Sequence, residues 1–265
     1  MKKAIPFLII LMGLSTLSVN AQKAITLKLN PNKGDTYTVV TKNSIMNLME
    51  VQGQSMNSTQ ITETRQSLTV IETKDDEITF ETKPEAMKLT ISQMGMTLTY
   101  DSEHPEKTSP LLAGQIEELG EALNEVFTSK YDAMGKSIDD EEEDDEEDAN
   151  IGKVGKAIIP LPEGPVNVGT KWTSHKSQSV SGTRIEATVN YEVTKITKKS
   201  VEVVLTGTVE GDSETSGTYE GTITLNPQTG MVIKSVIKPN ISLTISQQGL
   251  SIPITMSGTT TTTVE

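Results

Sequence analysis

The chain contains no cysteine, which excludes disulfides, thiolate metal ligation and a lipid-modified N-terminal cysteine. It has only two histidines, His104 and His175, and their separation leaves no histidine pair at metal-ligand spacing. Aromatic residues are 3% of the 265 residues, with Trp172 the single tryptophan, and apolar residues reach only 34%. A core built from such a chain must draw on Val, Ile, Leu and Met in strands that keep one face wet. No apolar run approaches the ~20 residues of a membrane-spanning helix. No basic stripe offers itself to nucleic acid or to an anionic membrane.

The motifs of common catalysts are missing as well. No serine lies in a G-x-S-x-G turn, no P-loop occurs, and no G-x-G-x-x-G follows a strand. His104 sits among Asp101, Glu103 and Glu106, but without a second histidine nearby it reads as a solvated loop residue. His175 beside Lys176 on a strand is equally bland. The sequence nominates no catalytic residue, no metal ligand, no cofactor and no particular ligand-binding residue. The expectation is a protein without enzymatic activity.

What is present begins with an export signal. Lys2 and Lys3 precede an apolar run, Ala4 to Leu14, and the small and polar residues that follow end in Val19-Asn20-Ala21. Residues 1–21 read as a cleavable signal peptide, so the expected destination is the periplasm or the exterior, with no integral membrane segment after cleavage. The full chain has 23 Lys+Arg against 36 Asp+Glu, a net of −13, and losing Lys2 and Lys3 makes it −15. Ten of the acids form one run, Asp139 to Asp148, without which the net would be −5. Like charges in a block repel each other, and calcium loops intersperse Gly and Asn among their acids, so the run reads as a disordered insertion.

Between Ala24 and Tyr100 the pattern is alternation: Ile25, Leu27 and Leu29, then Tyr37 and Val39, Leu68 and Val70, Ile78 and Phe80. Asn30 to Asp35 and Lys74 to Glu77 are turn clusters, and Gln93-Met94-Gly95 is a tight reversal. Pro84 shifts the phase before Met87, Leu89 and Ile91, which predicts a bulge or an edge. Ser109 and Pro110 then open a segment in which Leu112, Ile116, Leu119, Leu123 and Val126 recur at four-three spacing, with Phe127 beside them. That spacing predicts one amphipathic helix over about 109–134, laid on an apolar sheet face.

Residues 136–169 read as the acidic insertion and a Gly/Pro connector. Alternation resumes from Ile185 to Val193, Val201 to Val209 and Tyr219 to Leu225, and Asn226-Pro227-Gln228-Thr229-Gly230 is a strong hairpin loop. The five threonines Thr259 to Thr263 suit an edge strand or disorder. Trp172 reads as a core anchor. The methionines (Met46, Met49, Met56, Met87, Met94 and Met96) read as core in a chain short of aromatics, although thioethers also suit an adaptable groove.

The halves echo each other: Lys33-Gly34-Asp35-Thr36-Tyr37 against Val168-Gly169-Thr170-Lys171-Trp172, and Leu89 to Met96 against Leu243 to Leu250. These segments, the connector Leu161 to Trp172, the Leu225 to Gly230 loop and a signal ending in Ala-Gln resemble an exported β-rich family of Bacteroidota-type Gram-negative bacteria with no assigned activity. A more distant likeness is to periplasmic lipoprotein-carrier folds, a curved antiparallel sheet wrapped on a helix. The expected architecture is mainly β, one or two antiparallel curved sheets in two related halves, with the helix packed on the sheet. An N-terminal lobe over 22–135 precedes the connector and a C-terminal lobe over 170–265. Two readings of function follow: an exported cell-envelope protein that holds a lipid or other apolar or amphipathic ligand between helix and concave sheet, or a structural or protein-interaction module of the envelope with no small-molecule ligand; nucleic acid is not an expected partner.

Overall fold

Thirteen strands follow from the alternation, because β-branched and threonine-rich segments pack well on a pleated surface. The computed structural model describes residues 24–51, 53–112, 114, 120–121, 123–138, 157–180, 183–211, 215–247 and 250–265. The signal segment 1–21 and the acidic run 139–148 lie outside the described residues. In chain order the strands are β1 (Ile25–Thr26), β2 (Thr36–Val51), β3 (Gln54–Lys74), β4 (Glu77–Gln93), β5 (Met96–Asp101), β6 (Phe127–Asp132) and β7 (Pro165–Val166). They continue with β8 (Lys171–Val180), β9 (Thr183–Ile196), β10 (Val201–Glu210), β11 (Ser216–Leu225), β12 (Val232–Gln247) and β13 (Leu250–Val264).

Eleven strands form one antiparallel sheet in the order β5-β4-β3-β2-β13-β12-β11-β10-β9-β8, with β6 pairing the first half of β4 while β5 pairs its second half. β1 and β7 make a separate two-stranded sheet. The N-terminal and C-terminal halves of the sequence supply contiguous sets of strands, joined where β2 pairs β13. The threonine-rich tail therefore lies mid-sheet and not at an edge. Its hydroxyls alternate, Thr260 and Thr262 inward and Thr259, Thr261 and Thr263 outward, so the tail keeps the period of a buried strand.

The sheet is strongly curved. Phe80 and Tyr131, near one end of the strand order, share a core with Trp172, Tyr191 and Val193, near the other end. The two ends meet only if the sheet bends round on itself. Leu27, Leu29, Ile159, Leu161 and Val166, from the segments around β1 and β7, fill this closed end. Their backbones are tied to the strands by Leu29 N–H to Ala133 O (2.8 Å), Leu161 N–H to Met134 O (2.7 Å) and Val232 N–H to Ala157 O (2.9 Å). Trp172 is the anchor its position predicts: it stacks on Tyr191 at 5.0 Å between centroids and donates its indole N–H to Pro160 O at 2.9 Å.

Several turns are as the sequence predicts. Asp75 and Asp76 take positive φ between β3 and β4, as do Met94 and Gly95 between β4 and β5. The register shifts between Arg65 and Gln66, opposite Pro84 to Ala86, where the phase change predicts a bulge. The first echo between the halves is a matched turn. Asn32 to Asp35 and Asn167 to Thr170 make the same bonds, ending in Gly34 N–H to Val70 O at 2.8 Å and Gly169 N–H to Val193 O at 2.7 Å. Taking β2 as equivalent to β8 would make β4 equivalent to β10. The second echo instead aligns β4–β5 with β12–β13, so the two echoes do not share one repeat.

The predicted helix over 109–134 is a correction. Pro110–Leu112 is a single 3₁₀ turn and Phe127–Asp132 is strand β6. Only Gly114, Gly120 and Glu121 of that span are described as helical, and residues 113, 115–119 and 122 lie outside the described residues. No amphipathic helix packed on the sheet is found among the described residues. Phe127, Ser129 and Tyr131 alternate with period two, and pairing with Glu77–Thr82 of β4 decides their conformation over the helical spacing before them. The apolar ends of the stripe do reach the sheet: Leu112 and Leu123 pack with Met87, Leu89 and Tyr100.

Candidate functional site

One straight row of paired residues marks where the closed core ends. It runs Leu98, Ile91, Gln60, Ile45 and Gly258 across five adjacent strands. Beyond a break in the β12–β13 ladder at Lys238 and Pro239 it continues through Pro239, Tyr219, Gly207 and Val189. At two points, Gly207 and Gly258, the row has no room for a side chain. A Cβ on Gly207 would meet Thr188 O at 2.8 Å, and one on Gly258 would meet the Ser44 carbonyl and Ile45 Cδ1. Glycine in a strand interior marks such a bend, and the neighbouring Tyr219 ring covers it, touching the closed core on one side and a second cluster on the other.

Past this row the hairpins β2–β3, β4–β5 and β12–β13 continue toward their tips, and their inner face changes character. Two separate apolar clusters flank it. One sits at the row and on its closed side, Met87, Leu89 and Tyr100 with Ile91, Leu98, Leu112 and Leu123. The other is Ile185, Val209 and Ile241 with Leu243 and Met256. Between them Ile45, Asn47, Met49 and Ile254 line the concave face and are only half-buried, unlike the dry closed end. Among these side chains the Oδ1 of Asn47 is buried without a hydrogen-bond partner. A lone buried amide acceptor costs ~1–3 kcal/mol unless something donates to it. The concave trough thus offers apolar walls and one polar anchor.

The outer face of the same strands is mostly polar, with Met46, Leu48 and Ile61 exposed on it, and its charge is confined to one row and Glu50. Asp101, Lys88, Glu63 and Lys42 face one another in a single cross-strand row, with ion pairs of 3.2 Å (Lys88–Asp101) and 3.9 Å (Lys42–Glu63). On Asp101, burial works against ionisation, but the Lys88 ammonium and the Glu103 N–H outweigh it and hold the carboxyl below its ordinary value. Beyond this row, residues 43–62, 89–100 and 239–264 contain one charged residue, Glu50, in a chain that is 22% charged. The sequence reading missed this zone because its signal is an absence: the acidic run drew attention to where charge is and away from where it is not.

The remaining candidates fall away from the trough. His104 is exposed, 3.3 Å from Glu106, and His175 is exposed with Nδ1 3.1 Å from Thr188 Oγ1. No group of three or more metal-ligating side chains occurs among the described residues. A polar surface cleft of about 340 Å³ lies at the other end of the sheet, lined by Asn30, Lys33, Lys74, Asp75 and Glu77 among others. Reading the methionines as core needs correction. Met87 is buried, Met49 and Met56 are half-buried, and Met46, Met94 and Met96 are 50%, 74% and 61% exposed. Met94 and Met96 sit at the β4–β5 hairpin end and Met46 on the outer face of β2.

Residues 115–232 match the model of a family of unknown function, DUF6263. No curated protein matches the sequence. Among solved structures, lipovitellin, in a structure titled for its lipid–protein interactions, is similar at 9% identity and a TM-score of 0.49, over 88% of this chain and 25% of that one. The chain thus spans about a quarter of the lipovitellin chain's length. The translocator domain of the autotransporter NalP from Neisseria meningitidis is similar at 9% identity and a TM-score of 0.25, over 89% of this chain and 90% of that one. An outer membrane channel from Pseudomonas putida F1 is similar at 9% identity and a TM-score of 0.24, over 89% and 97%.

Proposed function

We propose that this is an exported, non-enzymatic protein of the cell envelope that holds an apolar or amphipathic ligand in the concave trough beyond the Gly258–Gly207 row. The observation that carries the reading is the polarity of the long hairpins. Their inner face carries half-buried apolar side chains (Ile45, Met49, Ile254, Met256), while their outer face is mostly Ser, Thr and Asn, with Met46, Leu48 and Glu50 on β2 and Ile61 on β3. A β-barrel crossing a membrane has the reverse arrangement, apolar outward and polar inward. The trough is therefore suited to an apolar guest on the inside, and Asn47 Oδ1 supplies an acceptor for a hydroxyl or amide of an amphipathic one. Leu112 and Leu123 close one wall, in place of the helix that the spacing predicts.

An environment-sensitive apolar dye tests the reading. Its fluorescence should rise on mixing with the protein and fall when a long-chain lipid competes for the site. Ile254→Asp and Leu243→Asp, which place a carboxylate on the trough wall, should abolish the rise without preventing folding. Dye binding unchanged in both variants would put the ligand elsewhere or remove it. A second reading, a structural or interaction module of the envelope without a small ligand, draws on β8, which pairs only β9 and so ends the sheet on that side. Under that reading the dye would not bind at all.

A further inference from the structure

We infer that the charge-free hairpin end is a docking surface for a lipid bilayer, which the protein meets tip-first with the trough facing the membrane. This rests on the trough reading for its purpose but on different residues for its evidence. The register places three hairpin ends side by side. Gln93 at the β4–β5 turn pairs Ser58 of β3, Asn47 of β2 pairs Ser58 and Met256, and Ile254 pairs Met49. From the charged row at Lys42 the β2–β3 hairpin runs on for nine residues to Val51, about 30 Å at the rise of a strand. Over that reach both faces of six neighbouring strands carry one charge, Glu50.

The large apolar side chains exposed there sit at the β4–β5 end and along the outer face of β2 and β3, where Ile61 is 37% exposed. Met94, at the apex of the β4–β5 turn, is 74% exposed and Met96 beside it 61%, while Met46 and Leu48 near the β2–β3 tip are 50% and 48%. A protein partner would call for complementary charge or one flat apolar face. This surface is instead a set of finger ends whose flanks are mostly hydroxyl and amide, with Met46, Leu48 and Ile61 on the outer face of β2 and β3 and thioethers at the β4–β5 apex. Neutral flanks can enter a headgroup layer without the desolvation cost of charge, and apolar tips gain by reaching the acyl boundary ~5–10 Å deeper. The alternating row of Asp101, Lys88, Glu63 and Lys42 would then stay in water and limit the depth. The chain's net charge of −13 disfavours anionic surfaces, so attachment must be apolar, not electrostatic.

Flotation of the full mature chain with vesicles decides it. The protein should float with phosphatidylcholine vesicles, keep doing so when salt is raised to about 1 M, and float less with vesicles containing phosphatidylglycerol. Met94→Asp and Leu48→Asp should each lower the bound fraction roughly tenfold or more, since a carboxylate would have to be desolvated where an apolar tip enters. Val204→Asp, which adds the same charge at an exposed position on β10, should float like the parent, and all three should keep the parent's urea midpoint. Leu48→Asp separates the two readings, because its side chain lies on the outer face and away from the trough: it should stop floating yet still bind the dye. No flotation of the parent, or tip variants that float as well as the parent, would overturn the inference. So would tip variants that change only self-association, which would make a second copy the occupant.

Discussion

Replacing Phe80 by alanine and Ile254 by serine should have opposite consequences for stability and for binding. Phe80 is fully buried in the closed core, where its ring meets Tyr131 edge-on at 5.9 Å between centroids. Truncating such a ring removes its transfer free energy and leaves a cavity in a packed interior, a loss of ~3–5 kcal/mol. Against a typical total of ~5–15 kcal/mol, that is a large share of what holds the domain together. Ile254 lines the trough and is only half-buried. Full burial of an isoleucine contributes ~1.5–3 kcal/mol, so losing a half-buried one should cost about 1 kcal/mol. Urea melts followed by circular dichroism measure both, and an unchanged slope confirms that the midpoint shift reports stability. Phe80→Ala should move the midpoint several times further than Ile254→Ser, while dye binding should fail in Ile254→Ser and persist in whatever fraction of Phe80→Ala is folded. Equal midpoint shifts would show that the trough is ordinary core, and the division into a closed and an open end would be wrong.

Gly258→Val should be destabilising by more than ~1–3 kcal/mol, because its branched side chain has to displace the Ser44 backbone across the β2–β13 ladder; thermal melting checks this, and a neutral result would mean that the bend is not set there. Asp101 has a lowered native pKa, so its pairing with Lys88 stabilises the fold above about pH 4, the ordinary carboxylate range, and that contribution is lost as pH falls through the lower native value. Asp101→Asn should accordingly be less stable than the parent at pH 7, with the gap closing in acid, as melts across pH 2–7 would show. Burial, with Asp35 nearby, raises the Tyr37 phenol to about 12, so any stability it contributes is present below pH ~10 and lost as pH rises through 12. An ultraviolet titration should find several tyrosines that ionise late, since burial also raises Tyr100, Tyr191 and Tyr219, and one fewer of them in Tyr37→Phe. Deleting residues 139–148 should leave the urea midpoint nearly unchanged, since shortening a long connection alters closure entropy only logarithmically.

The strands were legible because a wet outer face and an apolar inner face leave a period of two in the sequence, as in Val201, Val203 and Leu205. The turns were legible because Asn32, Gly34 and Gly95 are chemically suited to them. The 109–134 segment misled because a four-three apolar spacing fits a helix wherever it falls. The spacing carries no record of β4, whose free edge draws Phe127, Ser129 and Tyr131 into pairing. Nor did the tail Thr259 to Thr263 reveal its central place, since threonines look alike at an edge and between two neighbours; the β2–β13 pairing depends on residues more than 200 positions apart in sequence. Of the trough, its apolar residues could be named from alternation, but not its openness. That follows from the bend at Gly207 and Gly258, which only the three-dimensional packing of neighbouring backbones exposes.

Lipid analysis by mass spectrometry of the protein purified from its native envelope tests the central claim most directly, with Ile254→Asp purified in parallel. The trough reading predicts a stoichiometric amphipathic molecule with the parent and its absence from the folded variant. A parent that is folded and free of any such molecule, or a variant that retains it undiminished, would contradict the account.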